Sequence, residues 1–146
     1  MRHVTQEGLS LIKHFEGFSE AIYLDAAGLP TIGYGHLLRP GEAEMFRRGI
    51  SHEAAIALLI KDVEAAERSV LRLIAVPLTN GQFDALVSFT FNLGGGALQR
   101  STLRRKVNRE EHDNVPAEFL RWVWAGGRKL KGLLKRRRSE AHLYAT

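Results

Sequence analysis

The first regular pattern of apolar residues along the chain lies in residues 5–16. The positions that recur there at roughly the spacing of one helix face are Leu9, Ile12 and Phe15. Thr5 is placed to cap the start of a helix, and Gly17 is a natural stop. The pattern predicts a helix that ends at Glu16. The helix dipole is negative at this end and therefore disfavours the negative charge of the Glu16 carboxylate.

The period of the pattern changes between residues 20 and 38. Three glycines and one proline in this stretch argue against a helix. Two short runs, residues 22–24 and 31–34, have the composition of strands. They predict a hairpin whose loop carries Asp25 and brings it close to Thr31 at the start of the second strand.

From Ser51 onward the pattern is helical for about 24 residues. The apolar stripe consists of Ile56, Leu59, Ile60, Val63, Val70 and Ile74. A helix of that length spans about 36 Å, which is long for so small a chain and favours a strut that joins two lobes. The alternatives are one ordinary core helix, or two helices broken near Arg68 and Ser69.

Four further helices are predicted in the C-terminal half. The first begins at a capping box formed by Thr79 and Gln82 and ends at the glycines at 94–96, and the second runs from Ser101 to Asn108. The third begins at Asn114 and Pro116 and ends at the glycines at 126–127, and the fourth runs from about Gly132 to Tyr144. The chain is therefore expected to be mostly helical, with one small sheet near its N-terminus. That combination is typical of the α+β class.

Composition restricts the class of protein. The chain has 146 residues, enough for one compact domain, and no cysteine, which excludes disulfides, thiolate metal sites and a cysteine nucleophile. No stretch reaches the length of a membrane span, and the start lacks the apolar core of a signal peptide. We therefore expect a soluble protein that is made in the cytoplasm.

The positive charge is local. The formal net charge is +5, and residues 128–138 contain seven basic side chains and no acidic one. Such a segment suits nucleic acid, a membrane surface or an anionic polymer. The alternative is a solvated helix face without a partner.

Three residues near the N-terminus indicate possible chemistry: Glu16, Asp25 and Thr31. Two carboxylates in unequal surroundings, with a hydroxyl that orients a water, are the minimal set for hydrolysing a glycosidic bond. Glu16 ends a predicted helix, whereas Asp25 lies on a polar turn. Their spacing alone is weak support, because the chain has 16 acidic residues and surface carboxylates are the alternative.

The chain resembles the phage lysozyme (endolysin) family in motifs that occur in order over nearly its whole length. At the front these are Phe15-Glu16-Gly17, Tyr23-Leu24-Asp25 and Thr31-Ile32-Gly33-Tyr34-Gly35-His36. Further along they are Phe91-Asn92-Leu93-Gly94, Ser101-Thr102-Leu103, Trp122-Val123-Trp124-Ala125-Gly126-Gly127 and Gly132-Leu133-Leu134-Lys135-Arg136-Arg137-Arg138-Ser139-Glu140.

The resemblance implies a single catalytic domain with a lysozyme-like fold. A small sheet-containing lobe would cover about residues 17–60, and a helical lobe would cover about residues 75–146 together with the N-terminal helix. The implied activity is that of a muramidase, which hydrolyses the β-1,4 bond between N-acetylmuramic acid and N-acetylglucosamine in bacterial peptidoglycan. The implied outcome is lysis of the host cell.

The resemblance also implies roles for individual residues. Glu16 would be the general acid, Asp25 would stay ionised beside the transition state, and Thr31 would position the attacking water, as in inverting glycosidases. His36 would orient the hairpin by a salt bridge or hydrogen bond, with a direct chemical role as the alternative. The residues that fall where the family lines its sugar cleft are Leu37, Phe91 and Ser101, for which core packing or a helix cap is the alternative.

The expected partners are peptidoglycan glycan strands and, for export, a phage holin. We expect a monomer that stays in the host cytoplasm until lysis and then acts in the periplasm and cell wall. No cofactor, metal or nucleic acid is expected. Two other functions stay open: a lytic transglycosylase, which needs one acidic residue and makes an anhydro sugar, and a non-catalytic basic protein that binds the wall or nucleic acid.

Overall fold

The computed structural model describes all 146 residues of the chain. The eight α-helices are α1 (Gln6–Glu16), α2 (Glu42–Met45), α3 (His52–Leu73), α4 (Asn80–Leu93), α5 (Gly95–Arg100), α6 (Thr102–Asn108), α7 (Pro116–Phe119) and α8 (Lys131–Ala145). The five strands are β1 (Ser19–Leu24), β2 (Pro30–Gly33), β3 (His36–Leu37), β4 (Trp124–Ala125) and β5 (Arg128–Lys129). The fold is mixed and mostly helical, which confirms the predicted α+β class. None of the helices combines the length and the apolar character that crossing a bilayer requires.

Two compact units make up the chain. The larger unit comprises Met1–Leu11 and Ala65–Thr146, and the smaller unit comprises Ile12–Glu64. Strands β1 to β3 belong to the smaller unit, and strands β4 and β5 belong to the larger one. The lobes expected at about residues 17–60 and 75–146 stay a prediction.

In the smaller unit, β1, β2 and β3 form an antiparallel sheet in that order. Tyr23 pairs with Thr31 and Leu24 pairs with Pro30. The predicted hairpin is therefore confirmed. The third strand was not predicted, because two residues are too short to display a period. The fully or nearly buried apolar residues that form the core of this unit are Ile12, Ile32, Tyr34, Ala55, Leu59 and Val63.

The long helix predicted from Ser51 is present as α3. The hydroxyl of Ser51 accepts a hydrogen bond from the backbone N–H of Ala54 at 3.1 Å, which is the expected capping contact. The helix continues for 22 residues through Arg68 and Ser69. The alternative of two shorter helices is therefore wrong.

In the larger unit, two buried carboxylates anchor the start of α1. Glu67 accepts a hydrogen bond from the backbone N–H of Val4 at 2.7 Å. Asp84 accepts from the backbone N–H of Thr5 at 3.0 Å and also from its hydroxyl. Both carboxylates are 1% exposed, so they add charge-assisted bonds in a site from which water is excluded. These contacts hold the helix that ends at Glu16.

Helices α4 and α8 pack against each other through a buried charge network in the larger unit. Arg137 Nε lies 2.7 Å from Glu140 Oε1, and both side chains are 0% exposed. Glu140 also accepts a hydrogen bond from the hydroxyl of Ser88, and Arg137 donates to Asn92 Oδ1 at 2.7 Å. Arg136 contributes a longer contact to Glu140 at 3.4 Å. The two arginines precede Glu140 by four and three residues, which is the spacing at which side chains meet along one face of a helix.

The structure differs from prediction between residues 116 and 129. The helix expected to continue to Gly126 ends at Phe119. The next turns are tight, with Trp122 N bonded to Phe119 O in an i to i+3 pattern. Gly126 and Gly127 then adopt positive φ angles of 57° and 75°, which is the geometry of a two-residue hairpin turn between β4 and β5. The glycine pair is therefore a turn, not a helix stop.

Candidate active site

Glu16 ends α1 and lies against the turn that joins β2 to β3. It is half-buried, and its carboxylate approaches Gly35 so closely that an added Cβ would lie 2.5 Å from Oε1. Gly35 also has a φ of +74°, which side-chain-bearing residues rarely adopt. A glycine is therefore required at this position, and it brings the helix end and the sheet into contact.

Asp25 lies in the loop between β1 and β2, where the backbone fixes its carboxylate. Oδ1 accepts hydrogen bonds from the N–H groups of Ala27 and Leu29, both at 2.9 Å. The hydroxyl of Thr31 donates to the carbonyl of the same Leu29 at 2.9 Å. Asp25 and Thr31 are thus linked through one residue, and the expectation that the hairpin brings them together is confirmed. Thr31 is 2% exposed, so its hydroxyl is rigidly held.

Tyr23 is a member of this site that sequence reasoning missed. It lies directly opposite Thr31 in the sheet and is 38% exposed. Its pKa is raised above its ordinary value, first by partial burial and then by the negative charges of Glu16 and Asp25. The phenol therefore stays neutral at physiological pH and feels both carboxylates. Its place in the Tyr23-Leu24-Asp25 motif was the available signal.

His36 is the buried support of the sheet, as expected for an orienting residue. Its Nδ1 lies 2.7 Å from Asp62 and its Nε2 lies 3.1 Å from Glu42. Burial by itself lowers the pKa of His36, but the hydrogen bonds and charges of these two carboxylates outweigh it and raise the pKa. His36, Asp62 and Glu42 meet here, but the chain contains no cluster of His, Cys, Asp or Glu side chains that could hold a metal ion.

The contacts of His36 with Asp62 and Glu42 make the free energy of unfolding depend on pH in a definite direction. Because the pKa of His36 is raised in the folded state, its contribution is complete below pH 6.5, its ordinary pKa, and is lost as the pH rises through the folded value. We expect Asp62→Asn to lower the free energy of unfolding by about 2 kcal/mol in mildly acidic buffer, since it removes a charge-assisted hydrogen bond. The loss should shrink in mildly alkaline buffer.

Urea unfolding of the wild type and Asp62→Asn at several pH values measures this effect. Asp113→Asn is the control, because Asp113 is exposed and its carboxylate forms no ion pair or hydrogen bond with a histidine ring. An equal loss from Asp62→Asn at acidic and alkaline pH would contradict the assignment.

A family model described as phage lysozyme matches residues 13–140. The chain belongs to the phage lysozyme family. The matched segment includes Glu16, Asp25 and Thr31, and it covers most of both compact units.

Individual relatives agree with the family assignment. The endolysin of Bacillus phage B103 is 40% identical over 146 residues, which cover 99% of this chain and 54% of that protein. The endolysin of Acyrthosiphon pisum secondary endosymbiont phage 1 is 37% identical over 146 residues, which cover 97% of this chain and 97% of that protein. Among solved structures, the muramidase domain of SpmX from Asticaccaulis excentricus has a TM-score of 0.87 at 36% identity and covers 99% of each chain. The chain thus spans about half of one relative and nearly all of another.

The residues that the phage lysozyme resemblance assigned to substrate binding lie in different units. Leu37, on β3 of the smaller unit, is 49% exposed. Phe91, on α4 of the larger unit, is half-buried. Ser101 caps α6, accepting from the N–H of Arg104 at 3.0 Å, and borders a cavity of about 300 Å³. The other residues that line this cavity are Arg100, Thr102, Arg121 and Trp122. Contact of all three with substrate stays a prediction.

Proposed function

We propose that the chain is an endolysin that hydrolyses the β-1,4 bond between N-acetylmuramic acid and N-acetylglucosamine in bacterial peptidoglycan. The observation that carries this proposal is that Glu16, Asp25 and Thr31 all lie on or against the same three-stranded sheet. The Glu16 carboxylate lies against Gly35, and Leu29 joins Asp25 to Thr31. Membership of the phage lysozyme family supports the same reaction class.

Glu16 is the general acid in this proposal. Its carboxyl group donates a proton to the oxygen of the departing sugar, so that the glycosidic bond breaks without formation of a free alkoxide. A side chain at position 35 would occupy the place of the acid.

In this proposal, Asp25 activates the attacking water and Thr31 orients it. The two N–H donors on Asp25 Oδ1 suit an ionised carboxylate, which only accepts hydrogen bonds, and Oδ2 has no partner in the protein. Oδ2 therefore takes a proton from the water while the charge of Asp25 supports the oxocarbenium-like transition state. The Thr31 hydroxyl donates to Leu29, so its oxygen accepts from the same water and orients it.

Analysis of the reaction products tests this function. Hydrolysis of purified peptidoglycan yields fragments that are one water heavier than anhydro fragments, which mass spectrometry distinguishes. If inversion occurs, NMR detects the α-anomer first at the new reducing end. Anhydro fragments would instead assign the chain to the lytic transglycosylases. Complete lack of cleavage by folded protein would favour a non-catalytic binding protein.

The remaining parts of the proposal concern place and partners. The relatives are endolysins, and a muramidase acts on glycan strands of the cell wall. We therefore place the protein in the host cytoplasm until a holin opens the membrane, and then in the periplasm and wall, as a monomer. Gel filtration at several protein concentrations tests the monomer, and lysis of cells with and without a coexpressed holin tests the export route.

A further inference from the structure

A short hairpin in the larger unit carries an exposed aromatic side chain among basic ones. We call it the cationic hairpin surface: strands β4 and β5 together with Lys131 and Lys135 at the start of α8. Trp124 on β4 is 63% exposed and lies directly opposite Lys129 on β5. The four residues of β4 and β5 are all exposed. The surface therefore presents a large apolar ring beside fixed positive charges.

The structure corrects the picture of charge drawn from the sequence. Two of the seven basic residues in 128–138, Arg136 and Arg137, are buried and bonded to Glu140, so they present no charge to a partner. The exposed basic residues are Arg128, Lys129, Lys131, Lys135 and Arg138. No ion pair joins any of these five to an acidic side chain, and residues 119–139 contain no Asp or Glu. The surface has a positive field that nothing in its own segment neutralises.

The two tryptophans of this segment have different surroundings. Trp122 is half-buried and packs its ring against the buried Phe89, with ring centroids 5.5 Å apart. Trp124 leaves most of its surface to solvent. A single exposed apolar residue needs no explanation by itself. Its combination with the four unpaired basic residues of the cationic hairpin surface is the pattern of a membrane interface, where indole rings lie at the level of the lipid headgroups and basic residues contact anionic lipids.

We propose that the cationic hairpin surface docks the protein on the surface of an anionic phospholipid bilayer. The Trp124 ring enters the headgroup layer, and the basic side chains contact lipid phosphates. The turn residues Gly126 and Gly127 have no side chains, so the tip of the hairpin can approach the bilayer closely. A rigid wall polymer or a nucleic acid would use the charges equally well, but the exposed indole favours a lipid interface. This proposal does not rest on the hydrolytic activity.

Sedimentation with lipid vesicles tests the proposal. We expect the wild-type protein to bind vesicles of mixed phosphatidylglycerol and phosphatidylcholine, and not vesicles of phosphatidylcholine alone. The variant Arg128→Gln/Lys129→Gln should bind about 30-fold more weakly, since each basic residue near an anionic surface adds about 1 kcal/mol. The control Lys61→Gln/Arg72→Gln removes the same charge from exposed positions elsewhere and should change binding much less.

Fluorescence separates insertion of the indole from attraction by charge. Addition of anionic vesicles should shift the emission of the wild type to shorter wavelength, whereas Trp124→Phe, which keeps the half-buried Trp122, should lack the shift. Trp124→Phe should also cleave purified peptidoglycan at the wild-type rate. Equal binding of the wild type to neutral and anionic vesicles would overturn the proposal, and so would equal effects of the two double variants. The proposal would also fail if Arg128→Gln/Lys129→Gln lost binding to isolated cell wall but kept binding to vesicles.

Discussion

Glu16→Gln is expected to lower the rate of peptidoglycan cleavage by roughly 10²- to 10⁴-fold, the usual contribution of a general acid. Glutamine keeps the shape of the side chain but has no proton to donate to the departing sugar oxygen. The substituted side chain still fits beside Gly35, because the amide occupies nearly the same volume as the carboxyl group. We therefore expect loss of activity without loss of the fold.

The measurement is a turbidity assay on purified peptidoglycan, with thermal unfolding followed by circular dichroism on the same samples. Glu7→Gln is a matched control, because it makes the same change at an exposed position in the first turn of the same helix. The control should cleave at the wild-type rate. A Glu16→Gln protein that clears wall suspensions as fast as the control would remove Glu16 from the mechanism.

The second large effect is expected in stability. Glu140→Gln should lower the free energy of unfolding by about 3–5 kcal/mol, the usual cost of removing one partner from a buried ion pair. Glutamine is nearly isosteric with Glu140, so the change removes the charge and little volume. It leaves Arg137, which is 0% exposed, without the carboxylate that its guanidinium contacts at 2.7 Å.

Urea unfolding at neutral pH measures this cost. Glu111→Gln, at an exposed position of the same unit, should stay within about 0.5 kcal/mol of the wild type. The double variant Arg137→Met/Glu140→Leu should recover part of the loss, because apolar residues of similar size need no counter-charge. A double variant less stable than Glu140→Gln would contradict the view that an unpaired buried charge causes the loss.

For the candidate site, the sequence predicted the three residues but only part of their surroundings. Asp25 and Thr31 were predicted to meet because a hairpin has a fixed local geometry, and the shared contact with Leu29 agrees with this. The approach of Glu16 to Gly35 and the influence of both carboxylates on Tyr23 were not predicted. They depend on how a helix end packs against a sheet, and that packing has no period in the sequence.

For the fold, prediction succeeded where the signal was local and strong. The capping box of Thr79 and Gln82, the Ser51 cap and the uninterrupted stripe of α3 all belong to one helix each. Prediction failed between residues 116 and 129, where apolar residues at helical spacing belong to a short helix, tight turns and a hairpin. A pair of glycines can end a helix or form a hairpin turn, and in this structure Gly126 and Gly127 form the turn.

The mostly helical α+β class, the hairpin that carries Asp25 and Thr31, and the resemblance to phage lysozymes could all be predicted from the sequence, because local periodicity, turn residues and motif order express them directly. Which charges are buried could not be predicted and became clear from the packing of the elements. Arg136 and Arg137 belong to the same run of basic residues as Arg128 and Lys129, yet the first two bond to Glu140 in a core and the others face solvent. Burial depends on which other elements pack against a residue, and here α4 brings Ser88 and Asn92 to α8.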